Sequence, residues 1–339
     1  MLLEPDISRE EWINSFNAEK SKQQARMSLK HLDSWLESKS ITENQFLEEM
    51  SNHNSTKQAQ IIRDISNYWL NEKKLGLSTV PKYRGKLLVW FEENDLIIPI
   101  SKVRRIGKLA KPLQEMRYTP DANHLFKLVT MQKNLDVATF FITLASTAMR
   151  QDELHPVLVK EIDLSNRMIR IPAIRTKTRT ERVTYFTPEA RHYIKKLIKQ
   201  NNLSPEDRLF SYSLVNYHWH MRYSNKILGF DDRYSNNRRK MTIHRLRAYA
   251  NDSITEAVTT VFADVIKGHI SGNRSYDAGN LKKMKKDYDK AIDELTIDKS
   301  QQFEDLKENN ITKNHTDSVL MREIEHLKQE VERLKNSEE

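Results

Sequence analysis

Residues 168–187 read Met168-Ile169-Arg170-Ile171-Pro172-Ala173-Ile174-Arg175-Thr176-Lys177-Thr178-Arg179-Thr180-Glu181-Arg182-Val183-Thr184-Tyr185-Phe186-Thr187. Two short, alternating, β-branched segments flank a polar basic turn, the signature of half-buried strands joined by a hairpin. Val157-Leu158-Val159 has the same character, so one small sheet is expected, with strands at 157–159, 168–171 and 182–186. Lys177 then falls in the turn between the second and third strands. Everything around this stretch has helical periodicity. Pro188-Glu189-Ala190 opens a helix to about Asn201, and further helices are expected over 211–228 and 243–268. Upstream, Thr119-Pro120-Asp121-Ala122 starts a helix to about 132, followed by an apolar one at 136–148. The fold class is therefore mainly α with a small three-stranded antiparallel sheet.

Farther out, residues 8–97 are poor in glycine, and their apolar residues recur at helical spacing. Trp12, Phe16, Met27, Leu29, Leu32 and Trp35 mark the first helices. Ile61, Ile62, Ile65, Trp69 and Leu70 mark another after the cap Asn54-Ser55-Thr56, and Pro81 opens one through Trp90-Phe91. An all-helical domain over 1–100 is expected, with its aromatics in the core. Lys102, Arg104, Arg105, Lys108, Lys111 and Arg117 then crowd a connector, 101–118, that can lie along a phosphate backbone. A second domain spans 119–295 and a polar linker 296–317. In the tail, 318–339, Leu320, Ile324, Leu327, Val331 and Leu334 form a heptad seam, with β-branched residues at a and leucine at d. A self-associating coiled-coil helix and a helix packed on its own domain are the two readings of it.

Composition narrows the partners. The 339 residues carry a net charge of +9, and the segment beyond residue 300 is acidic, so the first 300 residues carry more than that whole excess. A basic body of this kind suits a polyanion. No run of about 18 apolar residues appears, as a membrane span would need, and the N-terminus lacks the apolar core of a secretory signal. The absence of cysteine removes disulfides and thiolate metal sites. A cytoplasmic, nucleoid-associated protein is expected.

Along the basic body runs an ordered set of groups: Arg150, Lys177, His244-x-x-Arg247, His269 and Tyr276. A phosphodiester resists attack until its charge is neutralised, and two guanidiniums suit that task because each donates paired hydrogen bonds and stays charged. Glu153 is a candidate partner for Arg150. Lys177, on a hairpin tip, can protonate a departing 5′-oxygen, with Arg175 and Arg179 as competitors for that place. His244 and His269 can hydrogen-bond the phosphate or position protons. Neither has metal-ligand spacing, and His218-x-His220 is assigned to packing or surface, so no metal or other cofactor is expected. Tyr276 is the nucleophile; cationic surroundings favour its phenolate. A phosphotyrosyl bond conserves bond energy, consistent with the lack of any phosphate-binding Gly-x-x-x-x-Gly-Lys-Ser/Thr loop. Tyr288 is the alternative nucleophile, although its Lys-Lys-Asp-Tyr-Asp-Lys context looks like an exposed helix face.

These residues resemble the tyrosine recombinase (phage integrase) family over about 8–290, with archaeal integrase-like and Xer-like members the most similar. Ala148-Met149-Arg150-Gln151-Asp152-Glu153-Leu154 looks like the first arginine box. Lys177 to Tyr185 looks like the β-hairpin lysine motif, and His244-Arg245-Leu246-Arg247 like the His-x-x-Arg box. Gly268-His269 follows Arg247 by 22 residues, as the resemblance requires. Tyr276 stands only 7 residues after His269, a shorter gap than most members show. The resemblance implies a helical core-binding (SAM-like) domain clamping the opposite face of double-stranded DNA, and an α-rich catalytic domain. It also implies a 3′-phosphotyrosyl intermediate, a dimer on each recombination site and a tetramer in synapsis. Two alternatives remain open: a type IB topoisomerase-like strand-passage enzyme, and a catalytically inactive DNA-binding regulator. The DNA-binding residues expected are Lys102, Arg104, Arg105, Lys108, Lys111, Arg175 and Arg179.

Overall fold

The computed structural model describes residues 7–108, 115–176, 178–268 and 280–298. Lys111, Lys177, His269, Tyr276 and the heptad seam of the tail lie outside the described residues. The chain divides into two compact units, Met1–Glu115 and Met116–Glu339.

In the first unit the described elements are six helices: α1 (Arg9–Ser15), α2 (Glu19–Lys39), α3 (Glu43–Ser51), α4 (Ser55–Asn71), α5 (Val80–Glu92) and α6 (Ile100–Ile106). Their starts follow from local chemistry. Ser8 with Glu11, and Thr42 with Gln45, form reciprocal capping boxes, and the Asn54 side-chain Oδ1 accepts from Thr56 N and Lys57 N. One core gathers Trp12, Leu32, Phe46, Ile62, Trp69, Trp90 and Phe91, so the aromatics are core residues as expected. The stretch read as a connector begins inside this unit. Ile100, Val103 and Ile106 are three apart, a helical stripe masked by the surrounding basic residues. Val103 is buried in the same core, and α6 packs on α4.

The second unit is built on α8 (Leu135–Thr147), with α7 (Ala122–Thr130) before it and α9 (Gln151–Leu154) after it. From Asp136 to Thr147 every residue of α8 is buried. The polarity within it is satisfied locally: Thr139, Thr143 and Thr147 each donate to the carbonyl four residues back. Asp136 accepts from Ser211 N at 2.9 Å, Ser211 Oγ at 2.8 Å and the Tyr217 hydroxyl.

The sheet is three-stranded and antiparallel, in the order β1 (Ile162–Asp163), β2 (Met168–Ile171), β3 (Arg182–Tyr185). Register pairs Ile169 with Thr184 and Ile171 with Arg182. The first strand is not at 157–159. Those residues pair instead with 207–209: Val159 N donates to Asp207 O at 3.0 Å, and Leu209 N to Val157 O at 2.9 Å. The Glu161 carboxylate then caps Leu158 N and turns the chain through a short 3₁₀ segment before β1.

After β3 come α10 (Pro188–Asn201), α11 (Leu214–Ile227), α12 (Ile243–Ala257), α13 (Thr260–Lys267), α14 (Leu281–Asp289) and α15 (Ile292–Leu295). The helical stretch expected over 243–268 is divided in two, because Val258 leaves helical geometry and the Thr259 hydroxyl recaps the chain by accepting from Phe262 N. α8 is the common support, flanked by α10 and α12. Among the described residues no helix is long and apolar enough to cross a membrane.

Candidate active site

Arg150 stands where α8 ends. Ala148 closes that helix in the left-handed region at φ +52°, and Arg150 is the cap of α9. Its Nη1 donates to Glu153 Oε1 at 2.8 Å, and its backbone N–H to Glu153 Oε2 at 3.1 Å. Arg247 projects from the first turns of α12 with its side chain 8% exposed. Two boxes almost 100 residues apart in sequence therefore meet at one carboxylate, the partner anticipated for Arg150.

A third guanidinium joins them. Arg182, on β3, donates Nη2 to Glu153 Oε2 at 2.7 Å. Sequence reading passed over it. The signal was available in the alternation: Arg182 shares a sheet face with Thr184, which is buried and donates to Thr147 O at the end of α8.

The same three arginines also engage the C-terminal carbonyls of α13, where backbone dipoles leave partial negative charge. Arg247 Nη2 donates to Lys267 O at 3.2 Å, Arg150 Nη1 approaches it at 3.5 Å, and Arg182 Nη1 donates to Ile266 O. Gly268 then turns the chain at φ +71°, and a Cβ there would lie 2.6 Å from Arg182 Cδ. Glycine is required on both counts. The next residue in sequence is His269.

The pit is strongly cationic. Burial alone would raise the Glu153 carboxyl, but Arg182 and the hydrogen bonds and charge of Arg150 hold it below its usual range. Arg247 is drawn down to about 10, by burial first and then by Arg150. Its Nη1, although buried, has no hydrogen-bond partner among the described residues and lies 4.0 Å from Glu153 Oε2. His244 presents its ring at the surface. Desolvation by neighbours, then repulsion from Arg117, Arg247, Arg245 and Arg150, lowers its imidazole below the usual histidine value. Arg117, named in the sequence only as one charge of the connector, is therefore a neighbour of His244.

The remaining expected residues divide. Arg179 is exposed on the hairpin at φ +54°. Arg175 is turned inward, its Nη2 2.5 Å from Glu161 with both side chains largely covered, so it is committed to a structural pair. In the first unit Arg104, Arg105 and Lys108 are exposed on or just after α6, whereas Lys102 donates to the Ser55 hydroxyl. Tyr288 is corrected outright. It is fully buried, not on an exposed helix face, and its hydroxyl donates to Ser146 O at 2.8 Å. Burial pushes that phenol far up, the opposite of what a nucleophile needs.

Residues 121–274 match the model of the phage integrase family. The tyrosine recombinase XerA of Saccharolobus solfataricus is 30% identical over 197 residues, a match that spans 57% of this chain and 60% of that relative. Among solved structures, the Tn1549 transposon integrase in complex with circular intermediate DNA aligns at a TM-score of 0.54 and 13% identity, over 81% of this chain and 96% of that one. A lambda integrase tetramer bound to a Holliday junction aligns at 0.51 and 14% identity, over 80% of each chain. At such identities these two are likenesses of fold.

Proposed function

We propose that this chain, whose residues 121–274 match the model of the phage integrase family, is a site-specific DNA recombinase of the tyrosine type. The observation that carries this reading is the meeting of Arg150 and Arg247 over Glu153 and the α13 carbonyls, immediately before Gly268-His269. Two guanidiniums so placed, one with an Nη1 that has no hydrogen-bond partner among the described residues, are suited to the non-bridging oxygens of a scissile phosphate, where charge builds in the transition state. Tyr276 Oη attacks phosphorus and forms a 3′-phosphotyrosyl bond while the 5′-oxygen departs. Lys177 supplies the proton to that oxygen, and His244 and His269 hold the phosphate and the nucleophile's proton. Attack by a 5′-hydroxyl from the partner duplex reverses the step and exchanges strands without a nucleotide cofactor.

The partner in this reading is double-stranded DNA, bound by a dimer at each site and a tetramer in synapsis. The exposed Arg104, Arg105, Lys108 and Arg179 contribute phosphate contacts. The helical first unit serves as the clamp. DNA complexes and a tetramer among the similar structures support this assembly.

The test is covalent capture. The protein is incubated with duplexes from around its own gene and quenched in SDS, and the digested peptides are searched for a nucleotide adduct. An adduct on Tyr276, absent from Tyr276→Phe, is expected. DNA binding with no adduct would replace the recombinase by a regulator. Relaxation of supercoiled plasmid without joining of two sites would replace it by a topoisomerase.

A further inference from the structure

Glu153 is asked to serve three guanidiniums with two oxygens, and the way it divides them is informative. Oε1 takes Arg150 Nη1 at 2.8 Å. Oε2 takes the Arg150 backbone N–H at 3.1 Å and Arg182 Nη2 at 2.7 Å. Arg247 Nη1 is left at 4.0 Å from Oε2, beyond hydrogen-bond reach and without another partner among the described residues. Arg182 itself is only 9% exposed, and its other arm is spent on Ile266 O. Both of its terminal nitrogens are thus engaged by protein acceptors, whereas Arg247 keeps one that is not, among the described residues.

We propose that Arg182 is a positioning residue for cleavage: by occupying Glu153 Oε2 it keeps that carboxylate from capturing Arg247, so that Arg247 Nη1 stays available to the scissile phosphate. The proposal rests on the recombinase reading of this pit. A buried carboxylate oxygen deprived of its strongest donor seeks another. Arg247 Nη1 stands 4.0 Å away without a partner among the described residues, and a shift of about 1 Å brings it into hydrogen-bond range. Arg150 cannot fill the vacancy, because its Nη1 is already on Oε1 and α13. Arg182 thus acts on the reaction through a second residue. Its contact with Gly268 also explains why that turn has no room for a side chain.

The experiment uses the full chain and a cleavable duplex, and measures DNA affinity and the rate of covalent adduct formation separately. Arg182→Met is expected to slow cleavage about 10²-fold, the scale of losing one transition-state donor, with DNA affinity changed less than about threefold. Arg182→Lys restores most of the rate. Adding Glu153→Gln to Arg182→Met removes the capturing charge and recovers at least about tenfold, the non-additivity of residues acting through one another. On a duplex with a neutral methylphosphonate at the scissile position, where fewer cations are needed, the Arg182→Met defect shrinks below about tenfold.

Additive losses in the double variant would overturn the proposal, and so would an undiminished defect on the methylphosphonate. A lowered melting temperature that accounts for the lost rate would do the same, by making Arg182 merely structural. If the wild-type chain forms no adduct, the recombinase reading has failed, and the positioning claim is then read by sulfate titration followed at the arginine Nε–H resonances. Sulfate binding at Arg247 that weakens in Arg182→Met and returns with Glu153→Gln sustains the claim. Equal binding in all three proteins ends it.

Discussion

Glu153 and Glu189 lie in the same unit, 2% and 5% exposed, on elements that both adjoin α8, yet they are opposite kinds of buried acid. Glu153 is surrounded by Arg150, Arg182 and Arg247 and is held ionised. Glu189 has no cation beside it among the described hydrogen bonds and ion pairs: it accepts from Ile297 N at 3.1 Å and Asp298 N at 3.0 Å, and burial, with repulsion from Asp298, pushes it up to about 8. The surroundings repeat the contrast. The described segment after α13, 280–298, is fastened largely by phenols: Tyr185 donates to Leu281 O, Tyr249 to Glu294 O and Tyr288 to Ser146 O, beside one ion pair, Arg167 with Asp289. The lesson is one of division of labour. One side of the unit gathers three guanidiniums around a single carboxylate, and the other fixes residues 280–298 mainly with phenol-to-carbonyl bonds.

The comparison breaks most visibly through Arg247. Arg247→Ala is expected to slow adduct formation by roughly 10²–10³-fold, while DNA affinity, which depends on many phosphate contacts, changes far less. Single-turnover cleavage beside a binding isotherm checks it, and equal losses in both would make Arg247 an ordinary DNA contact. Glu153→Ala leaves three guanidiniums, those of Arg182 and Arg247 largely buried, without their carboxylate. It should reduce folding stability by about 3–5 kcal/mol, read from the denaturant midpoint. A neutral outcome would mean that the pit tolerates cations alone.

Glu189 gives the opposite dependence. An acid whose folded pKa lies above its unfolded value keeps its proton in the native chain after the unfolded chain has lost it. Stability therefore falls as pH rises from about 4.5 to about 8. Glu189→Gln should flatten that interval, the gap from wild type reaching on the order of a few kcal/mol at the alkaline end. Urea unfolding at pH 5 and pH 8 decides it, and parallel curves would place an unrecognised cation beside Glu189. The smallest effect belongs to Tyr288→Phe, which removes one hydrogen bond to Ser146 O. It should cost about 1 kcal/mol and leave the covalent adduct intact. Loss of the adduct without loss of stability would reopen Tyr288 as the nucleophile.

Much of this was legible in the chain. The caps at Asn54, Asp121 and Thr187 are short-range hydrogen bonds, and each starts a helix where the residues say it should. β2 and β3 follow from alternation, which needs only a buried face. The misreadings share a cause: the deciding partner was remote. Residues 157–159 alternate correctly, but 207–209 offered the better ladder. The stripe at Val103 and Ile106 was diluted by charges whose stems lie outside the core. Tyr288 sits in an acidic and basic surround that looks solvated, and is covered only because its helix lies over Ser146.

By itself, then, the sequence determined the helical class, the small sheet and the basic character, and it proposed Arg150, His244 and Arg247 as groups suited to a phosphate. These depend on residue type and local periodicity, which the chain carries in order. Tertiary structure alone decided that Arg182 belongs with them, that Arg175 does not, and that Tyr288 is a buried strut. A charge acts over a few ångströms of space, and only folding sets which charges stand that close.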